Sequence, residues 1–365
     1  MRVLVLSAYH ADSHRCWLDG LMMHLPSIEW TVLTLPARYF SWRIRGNSLT
    51  WAMQQSALLS EPYDVVLATS MTDLSALRGL VPALSRIPTV VYFHENQFSY
   101  PKNIQQRDDV EPQILNLYTA LAADKVLFNS EYNRNTLLSG VDTLLGRLPD
   151  FSPRAEVGAR LADSAVLPVG LDITPCVERS AGERLSVLWN HRWEYDKGPD
   201  RLLALIKECD KQALPLDFYI AGQQFRNCPK EFKQLEGLIL ASDCLALRQW
   251  GYVSDALDYS AMLARCDVVL STAIHDFQGL SILQAVAMGC VPLVPDRLCY
   301  PEWFGAAYRY HGDDNPALEA IACGAVLQRL LLQKQRGQLP LVDVSALSWQ
   351  VLAPQYLKVF EGLLN

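Results

Sequence analysis

Two basic side chains in the second half of the chain, Arg192 and Lys197, have the types and spacing to bind a diphosphate. They lie in the segment NHRWEYDKGPDRLL (190–203), between a strand-like hydrophobic run and a helical segment that begins near Gly198. Arginine offers a two-pronged guanidinium to phosphate oxygens, and lysine offers a mobile point charge. Charged loop residues are often only solvated, so this pair alone leaves both interpretations open.

The segment STAIHDFQGLSILQAVAMGCVPLVP (271–295) adds an anion site and two hydroxyl-binding groups. A strand is followed by a loop with His275 and Asp276, and then by a helix at Gly279 whose free N–H groups favour an anion. Gln284 is eight positions after Asp276, so the two side chains can bond different hydroxyls of one extended ligand. The residues expected to bind this ligand are Arg192, Lys197, His275, Asp276, Gly279, Leu280 and Gln284.

The overall composition is that of a globular protein with room for two domains. The chain has 365 residues, of which 50% are hydrophobic and 19% are charged. That length suffices for two hydrophobic cores. Because the formal net charge is -7, a polyanionic partner has to be bound by a local basic surface.

Cysteine usage and the first residues predict a cytoplasmic protein with reduced thiols. The nine cysteines include no C-x-x-C pair, and their odd number argues against a disulfide framework. The first hydrophobic run (2–8) is too short for a signal peptide or a membrane span. His10 and His14 have a spacing that suits a metal on a helix, but the residues between them are typical of a loop turning into a helix. We therefore expect no metal.

Short hydrophobic runs recur between amphipathic segments along the chain. Runs rich in Val and Leu without strict alternation are typical of parallel strands that are covered on both faces and joined by right-handed helical crossovers. They lie at residues 2–8, 30–36, 64–70, 89–95, 125–130, 165–170, 186–191, 217–222, 267–272 and 291–295. The pattern predicts an α/β fold with two Rossmann-like domains, 1–172 and 185–345, whose parallel sheets face each other across a cleft. An amphipathic segment, 346–365, is expected to return to the first domain.

A basic and aromatic patch, ARYFSWRIRGNSLTW (37–51), stands out in this acidic chain. It contains three arginines, four aromatic residues and no acidic residue. Such a mixture suits phosphates held by arginines and unpaired bases stacked on aromatic rings. In the alternative interpretation, Phe40 and Trp42 pack beneath the domain while the arginines are merely exposed.

Four polar residues, His94 to Gln97, follow the fourth predicted strand in the segment YFHENQFSYP. Because ligands of parallel sheets bind at the carboxyl ends of strands, we expect these side chains at the site, with His94 positioning a reacting group. A capping role for Asn96 is the alternative. The loop after the first strand brings His10, Ser13 and His14 toward the same edge.

These motifs resemble a known family. DFQGLSILQAVAMGCVP (276–292) resembles the signature of glycosyltransferase family 4, retaining enzymes of the GT-B fold, in which two glutamates eight apart precede A-x-x-x-G-x-P. Here Asp276 and Gln284 stand at the two glutamate positions. The Arg192 loop resembles the family's R-x-x-x-x-K-G donor motif, LPVGLD (167–172) its P-x-G-x-D hinge, and LFNSEYNR (127–134) the end of a strand in its first domain.

Within that family, residues 37–51, 92–101 and 271–304 together resemble the tRNA-queuosine α-mannosyltransferases. The resemblance implies transfer of mannose from GDP-mannose to the cyclopentenediol of queuosine in tRNA, tRNA-Asp above all, with retention and without a metal or other cofactor. The first domain would bind the acceptor and the second the nucleotide sugar, with no stable membrane association. The implied catalytic residues are His94, Arg192, Lys197 and Asp276, and the implied acceptor-binding residues are His10, His14, Arg38, Trp42, Arg43, Arg45, Glu95 and Asn96.

Two other functions are compatible with the same residues. A family 4 transferase with a lipid or polysaccharide acceptor would also present a basic, apolar surface on its first domain. A tRNA-binding protein that has lost catalysis would also fit, since Gln284 replaces a charged group of the signature.

Overall fold

The computed structural model describes residues 1–100, 110–173 and 181–364. The chain forms two compact units, Met1–Gly170 together with Leu347–Asn365, and Leu171–Ala346. The predicted junction at residues 171–184 lies partly outside the described residues, and so does Cys176.

The first unit is built on a sheet of six parallel strands in the order β2-β1-β3-β4-β5-β6. Its strands are β1 (Arg2–His10), β2 (Glu29–Pro36), β3 (Val65–Thr69), β4 (Thr89–Phe93), β5 (Lys125–Phe128) and β6 (Ala165–Val166). β3 and β4 are buried along their whole length, which explains why their sequences are continuous hydrophobic runs.

Helices cover this sheet. They are α1 (Asp12–His24), α2 (Phe40–Gln54), α3 (Ser56–Leu59), α4 (Leu74–Leu80), α5 (Glu111–Leu121), α6 (Glu131–Leu145) and α7 (Arg154–Ala162), with a short 3-10 helix at Pro82–Arg86. The side chain of Asp73 caps α4, and that of Ser130 caps α6, each by accepting a bond from a backbone N–H of the first turn.

The second unit repeats the architecture, with six parallel strands in the order β12-β11-β10-β7-β8-β9. The strands are β7 (Leu185–Asn190), β8 (Leu216–Ala221), β9 (Leu245–Gly251), β10 (Val268–Leu270), β11 (Val291–Pro295) and β12 (Arg309–Tyr310). The helices are α8 (Pro199–Lys211), α9 (Glu231–Ala241), α10 (Ala256–Arg265), α11 (Leu280–Ala287), α12 (Tyr300–Trp303) and α13 (Pro316–Gln335), with 3-10 helices at Tyr195–Lys197, Ala306–Tyr308 and Ser345–Leu347.

Each sheet reverses its strand order once, and that point is where ligands bind in open α/β sheets. The reversal lies between β1 and β3 in the first unit and between β7 and β10 in the second. Each reversal therefore leaves a crevice at the carboxyl ends of its two strands.

The last helix, α14 (Trp349–Gly362), packs within the first unit. Its Trp349 indole lies so close to Gly20 and Gly170 that a Cβ at either glycine would come within 2.3 Å of it. Trp17 Nε1 donates to the Tyr356 hydroxyl at 3.1 Å, which ties α14 to α1.

The predicted parallel α/β class is confirmed, although two edge strands were missed. β9 carries Arg248 and Gln249 and is only partly buried, so its sequence lacks the hydrophobic run of a central strand. β12 has only two residues. Among the residues that the structure describes, no helix combines the length and hydropathy that spanning a membrane requires. The eight cysteines in the same residues are free thiols.

Candidate functional site

The loops after β7 and β10 are tied together at the reversal point of the second sheet. The carbonyl oxygen of Asp196 accepts bonds from Ile274 N at 3.0 Å and from His275 N at 3.1 Å. Thr272 Oγ1 donates to the carbonyl oxygen of Lys197 at 2.8 Å. These bonds fix Lys197 against the loop that follows β10.

Gly198 makes this close approach possible. Its φ is 64°, in the left-handed region, and a Cβ at this position would lie 2.1 Å from the carbonyl oxygen of Thr272. Glycine alone fits this position without strain. Pro199 then begins α8, in the first helical position that suits proline.

The Lys197 ammonium group is surrounded by oxygen atoms. Its side chain is 10% exposed, and Nζ donates to the carbonyl oxygen of His275 at 2.7 Å. The carboxylates of Asp196 and Asp276 lie 3.3 Å and 3.7 Å from Nζ. Because these two acids face one cation, Lys197 is held at a defined point beside the helix start at Gly279.

Arg192 lies on the more exposed side of this cluster. Its side chain is 48% exposed, and its guanidinium lies 2.8 Å from Glu194 and 3.8 Å from Asp196. An incoming anion would replace these carboxylates as the partner of the guanidinium. Such an exposed pair is worth little by itself, so the exchange costs little.

Asp276 has a fixed environment. Its Oδ1 accepts a bond from Gly279 N at 3.1 Å, and its Oδ2 accepts one from the hydroxyl of Tyr300 at 3.1 Å. Burial is the largest influence and opposes ionisation, but the charge of Lys197, together with His191, His275 and the bond from Gly279 N, lowers the pKa of Asp276. Asp276 is thus an ionised group that three neighbours hold in place.

Two histidines of the cluster are neutral at physiological pH. Burial, reinforced by the charge of Lys197, lowers the pKa of His191 to about 3 and that of His275 to about 4. Positive charge in this cluster therefore comes from Lys197 and Arg192.

Helix α11 presents its N-terminus beside the cluster. Gly279 precedes it with φ 70°, and Leu280 is its first residue. Gln284 lies one turn further, partly exposed. The structure thus brings six of the seven predicted ligand-binding residues to one loop pair and helix start, with Gln284 on the adjoining turn.

A second polar cluster lies at the carboxyl ends of the first sheet. The Glu95 carboxylate accepts a bond from Ser70 Oγ at 3.1 Å and lies 3.1 Å from His14 Nε2. His14 stacks on His94 with ring centroids 4.0 Å apart. Burial lowers the pKa of His94 well below its ordinary value, so this ring is neutral. His10 Nδ1 lies 3.0 Å from Ser7 Oγ at the end of β1.

Three predicted acceptor-binding residues are buried, namely His14, Asn96 and Arg43. Asn96 is 0% exposed; its amide donates to Asn133 and Thr136, and its carbonyl accepts from Phe98 N. Both polar groups of the Asn96 side chain are therefore used inside the unit, as in the capping alternative. Arg43 is buried as well, with 8% of its surface exposed.

The basic and aromatic patch (37–51) comprises the residues just before α2 and most of α2 itself. Trp42 is 57% exposed, and its indole covers Gly46, where a Cβ would lie 2.2 Å from the ring. Arg38 is exposed and lies over the ring of Tyr39. Arg45 pairs with Asp73 at 3.0 Å and also with Glu111. Arg38, Tyr39 and Trp42 are thus accessible parts of the patch, whereas Phe40 packs partly against the core.

Four residues of the second-unit cluster were missed by sequence reasoning: His191, Asp196, Ser271 and Tyr300. His191 and Asp196 lie within the quoted loop, so their polar character was a usable signal. Tyr300 is 24 positions from Asp276, and no pattern in the chain relates the two.

Comparison with known proteins relates the chain to the tRNA-queuosine alpha-mannosyltransferases. Residues 2–171 match the family model described as tRNA-queuosine alpha-mannosyltransferase N-terminal. A Drosophila melanogaster protein named tRNA-queuosine alpha-mannosyltransferase is 29% identical over 370 residues, which cover 98% of this chain and 96% of that protein. The first unit is thus similar to the N-terminal part of tRNA-queuosine alpha-mannosyltransferases, and the whole chain is similar to a protein of that name.

Solved structures similar to this chain share its fold. Sucrose-phosphate synthase from Thermosynechococcus elongatus has a TM-score of 0.70 at 13% identity, covering 99% of this chain and 98% of that chain. HepE from Anabaena, solved with UDP and glucose, has a TM-score of 0.65 at 14% identity, covering 99% of this chain and 100% of that chain. At such identities the likeness concerns the fold, and it confirms GT-B.

Proposed function

We propose that the protein transfers mannose from GDP-mannose to the cyclopentenediol of queuosine in tRNA, with tRNA-Asp as the expected acceptor. The observation that carries this proposal is the relative named for that reaction, since the match extends along nearly the whole length of both proteins. The family match of the first unit supports the acceptor, and the cationic cluster of the second unit supports a nucleoside diphosphate donor.

Lys197, Arg192 and the start of α11 would bind the diphosphate of the donor. As the bond from sugar to phosphate breaks, negative charge grows on the departing diphosphate. Positive groups held in advance stabilise that charge more than they stabilise the intact donor. Two protein cations and a helix N-terminus can supply this stabilisation without a metal.

Retention of configuration follows if the acceptor hydroxyl attacks from the face that the diphosphate leaves. A diphosphate oxygen is then close enough to take the proton of the hydroxyl. The contacts of Asp276 support this course, because bonds from Gly279 and Tyr300 hold its carboxylate and disfavour a nucleophilic role.

In the first unit, Glu95 offers a carboxylate to a hydroxyl of the acceptor. Ser70 and His14 orient this carboxylate, which is 22% exposed. A carboxylate oxygen accepts more than one hydrogen bond, so an acceptor hydroxyl can join the existing ones.

Trp42 is the proposed stacking surface for an unpaired base of the tRNA. We expect Trp42→Ala to weaken tRNA binding roughly 5- to 150-fold, because stacking of a base on an aromatic side chain contributes about 1–3 kcal/mol. Gly46→Ala should act in the same direction, since the new methyl group displaces the indole. The measurement is the dissociation constant for queuosine-containing tRNA at several salt concentrations.

The control for this pair is Leu257→Ala, which removes an exposed apolar side chain from the second unit. Arg38→Ala should reduce the steepness of log affinity for tRNA against log salt concentration by about one, the value for one lost phosphate contact. Unchanged tRNA affinity in Trp42→Ala, together with loss of binding to anionic vesicles, would favour a lipid acceptor instead.

Gln284 occupies the position proposed to bind the donor ribose. Gln284→Glu should leave donor affinity unchanged or raise it up to about tenfold, because hydrogen bonds to a charged acceptor are stronger. Calorimetric titration with GDP measures the effect, and the exposed Gln234→Glu in α9 matches the change of charge. A large loss of GDP affinity in Gln284→Glu alone would place the ribose elsewhere.

A panel of nucleotide sugars tests the proposed donor. Labelled GDP-mannose, UDP-glucose, UDP-galactose and UDP-N-acetylglucosamine are each incubated with the protein and with queuosine-containing tRNA. The proposal predicts label in tRNA from GDP-mannose above the others, and none when the tRNA carries guanosine in place of queuosine. Label from a uridine donor alone would contradict it.

A further inference from the structure

We propose that Tyr300 is a positioning residue of the diphosphate site, whose hydroxyl holds the Asp276 carboxylate away from Lys197 and so keeps Lys197 available to an anion. This inference rests on the proposed function of the second-unit cluster. It assigns a role to a residue that lies 24 positions from its partner in sequence.

The hydrogen bonds of this cluster run in one direction. An ionised carboxylate only accepts, so the Tyr300 hydroxyl donates to Asp276 Oδ2 at 3.1 Å. Tyr300 has no second proton, and it therefore accepts from Ser271 Oγ at 2.7 Å. Ser271 Oγ in turn accepts from His191 Nε2 at 3.1 Å and from Ala273 N at 3.2 Å. In this series of hydrogen bonds, each donated proton points along the path toward Asp276.

Burial shields this series of hydrogen bonds from water. Tyr300 and Ser271 are 0% exposed, and His191 is buried. Burial, followed by the charge of Asp276, raises the pKa of Tyr300 well above its ordinary value, so the hydroxyl remains a donor. Buried hydrogen bonds that run in one direction polarise each other, which strengthens the last bond to the carboxylate.

The geometry around Asp276 Oδ2 explains what this bond achieves. Tyr300 Oη lies 3.1 Å from Oδ2, whereas Lys197 Nζ lies 3.7 Å from it, beyond the length of a good hydrogen bond. Without the hydroxyl, Lys197 would be the strongest remaining partner of Oδ2. The carboxylate would then close on the ammonium group and compete with a diphosphate for it.

The Tyr300 ring makes a second contact at the same place. A Cβ on Gly279 would lie 2.9 Å from the ring, so the ring supports the residue before α11 while the hydroxyl orients Asp276. Tyr300→Phe keeps this ring contact and removes only the hydroxyl. It therefore separates the positioning role from packing.

Tyr300→Phe should weaken GDP binding roughly tenfold and should lower kcat for transfer more than it raises KM for the acceptor. The magnitude follows from loss of one hydrogen bond to a charged group. GDP binding is measured by calorimetry on the full chain, and kcat and KM are measured with queuosine-containing tRNA. Ser271→Ala, which removes the donor to Tyr300, should act in the same direction with a smaller effect.

The matched control is Tyr310→Phe. Tyr310 is also buried in the second unit, and its hydroxyl lies 2.7 Å from the carbonyl oxygen of Ser271 and 3.3 Å from Glu319 Oε1, without contacting Asp276. The proposal predicts that both tyrosine variants lose similar stability but that only Tyr300→Phe loses GDP affinity. Equal GDP affinity in the two variants would overturn it.

The outcome for the wild-type chain separates this inference from the proposed function. If the wild-type chain binds GDP but transfers no mannose, the proposed function fails while the comparison of the tyrosine variants still decides the role of Tyr300. If the wild-type chain binds neither GDP nor UDP, both proposals are overturned.

Discussion

Replacing Lys197 with alanine should lower the rate of glycosyl transfer by about two to three orders of magnitude, the cost of losing one group that stabilises charge in the transition state. Lys197 Nζ is the cation nearest to both Asp196 and Asp276. Without it, two carboxylates face each other where the diphosphate would bind. The site would then repel the charge that it is proposed to stabilise. Single-turnover transfer from GDP-mannose to queuosine-containing tRNA measures the effect.

Lys211→Ala is the control for this change. Lys211 lies at the end of α8 in the same unit, and its side chain is 75% exposed beside Glu208. We expect wild-type transfer from this variant, since an exposed pair contributes little. Lys197→Met retains most of the aliphatic stem and should be as slow as Lys197→Ala. Transfer by a folded Lys197→Ala at the wild-type rate would remove the proposed diphosphate role.

Replacing Glu319 with alanine should reduce the free energy of unfolding of the second unit by about 3 kcal/mol, near the lower end for breaking a buried ion pair. Glu319 on α13 is 2% exposed and accepts two bonds from Arg297, at 2.8 Å and 2.9 Å. Arg201 Nε lies 3.1 Å from the same carboxylate. Removing it leaves two guanidinium groups without their common partner. Because Arg297 is partly exposed, water can satisfy some of the lost bonds.

Glu319→Ala should also disturb the candidate site. Arg297 Nε also donates to the carbonyl oxygen of Ala273, in the loop that precedes His275 and Asp276. Urea denaturation measures stability, and GDP titration reports on the loop. The exposed Glu183→Ala is the control, with little expected change in either quantity. A stability for Glu319→Ala equal to that of Glu183→Ala would show that this network contributes nothing.

The central strands and the loops after β7 and β10 could be predicted because their causes are local. Strands buried on both faces, such as β3 and β4, require continuous hydrophobic sequences. A loop that brings Lys197 close to a neighbouring backbone requires glycine at position 198. Local requirements of this kind leave patterns of fixed spacing.

Roles that depend on distant partners could not be predicted. The bond between Tyr300 and Asp276 arises because β11 and α12 return to the loop after β10, which no local spacing records. Asn96 resembled a ligand-binding residue because it follows a strand. Its amide donates to Asn133 and Thr136 on α6, and its carbonyl oxygen accepts from Phe98 N, so both side-chain groups are used inside the unit.

The most direct test of the central proposal is the mass of the modified nucleoside in tRNA after incubation with the purified protein and GDP-mannose. The tRNA is digested to nucleosides, and queuosine is weighed by mass spectrometry. We predict that queuosine gains the mass of one hexose and that Lys197→Ala greatly slows this gain. Queuosine of unchanged mass with GDP-mannose and with every other nucleotide sugar tested, from a folded protein that binds the tRNA, would contradict the account.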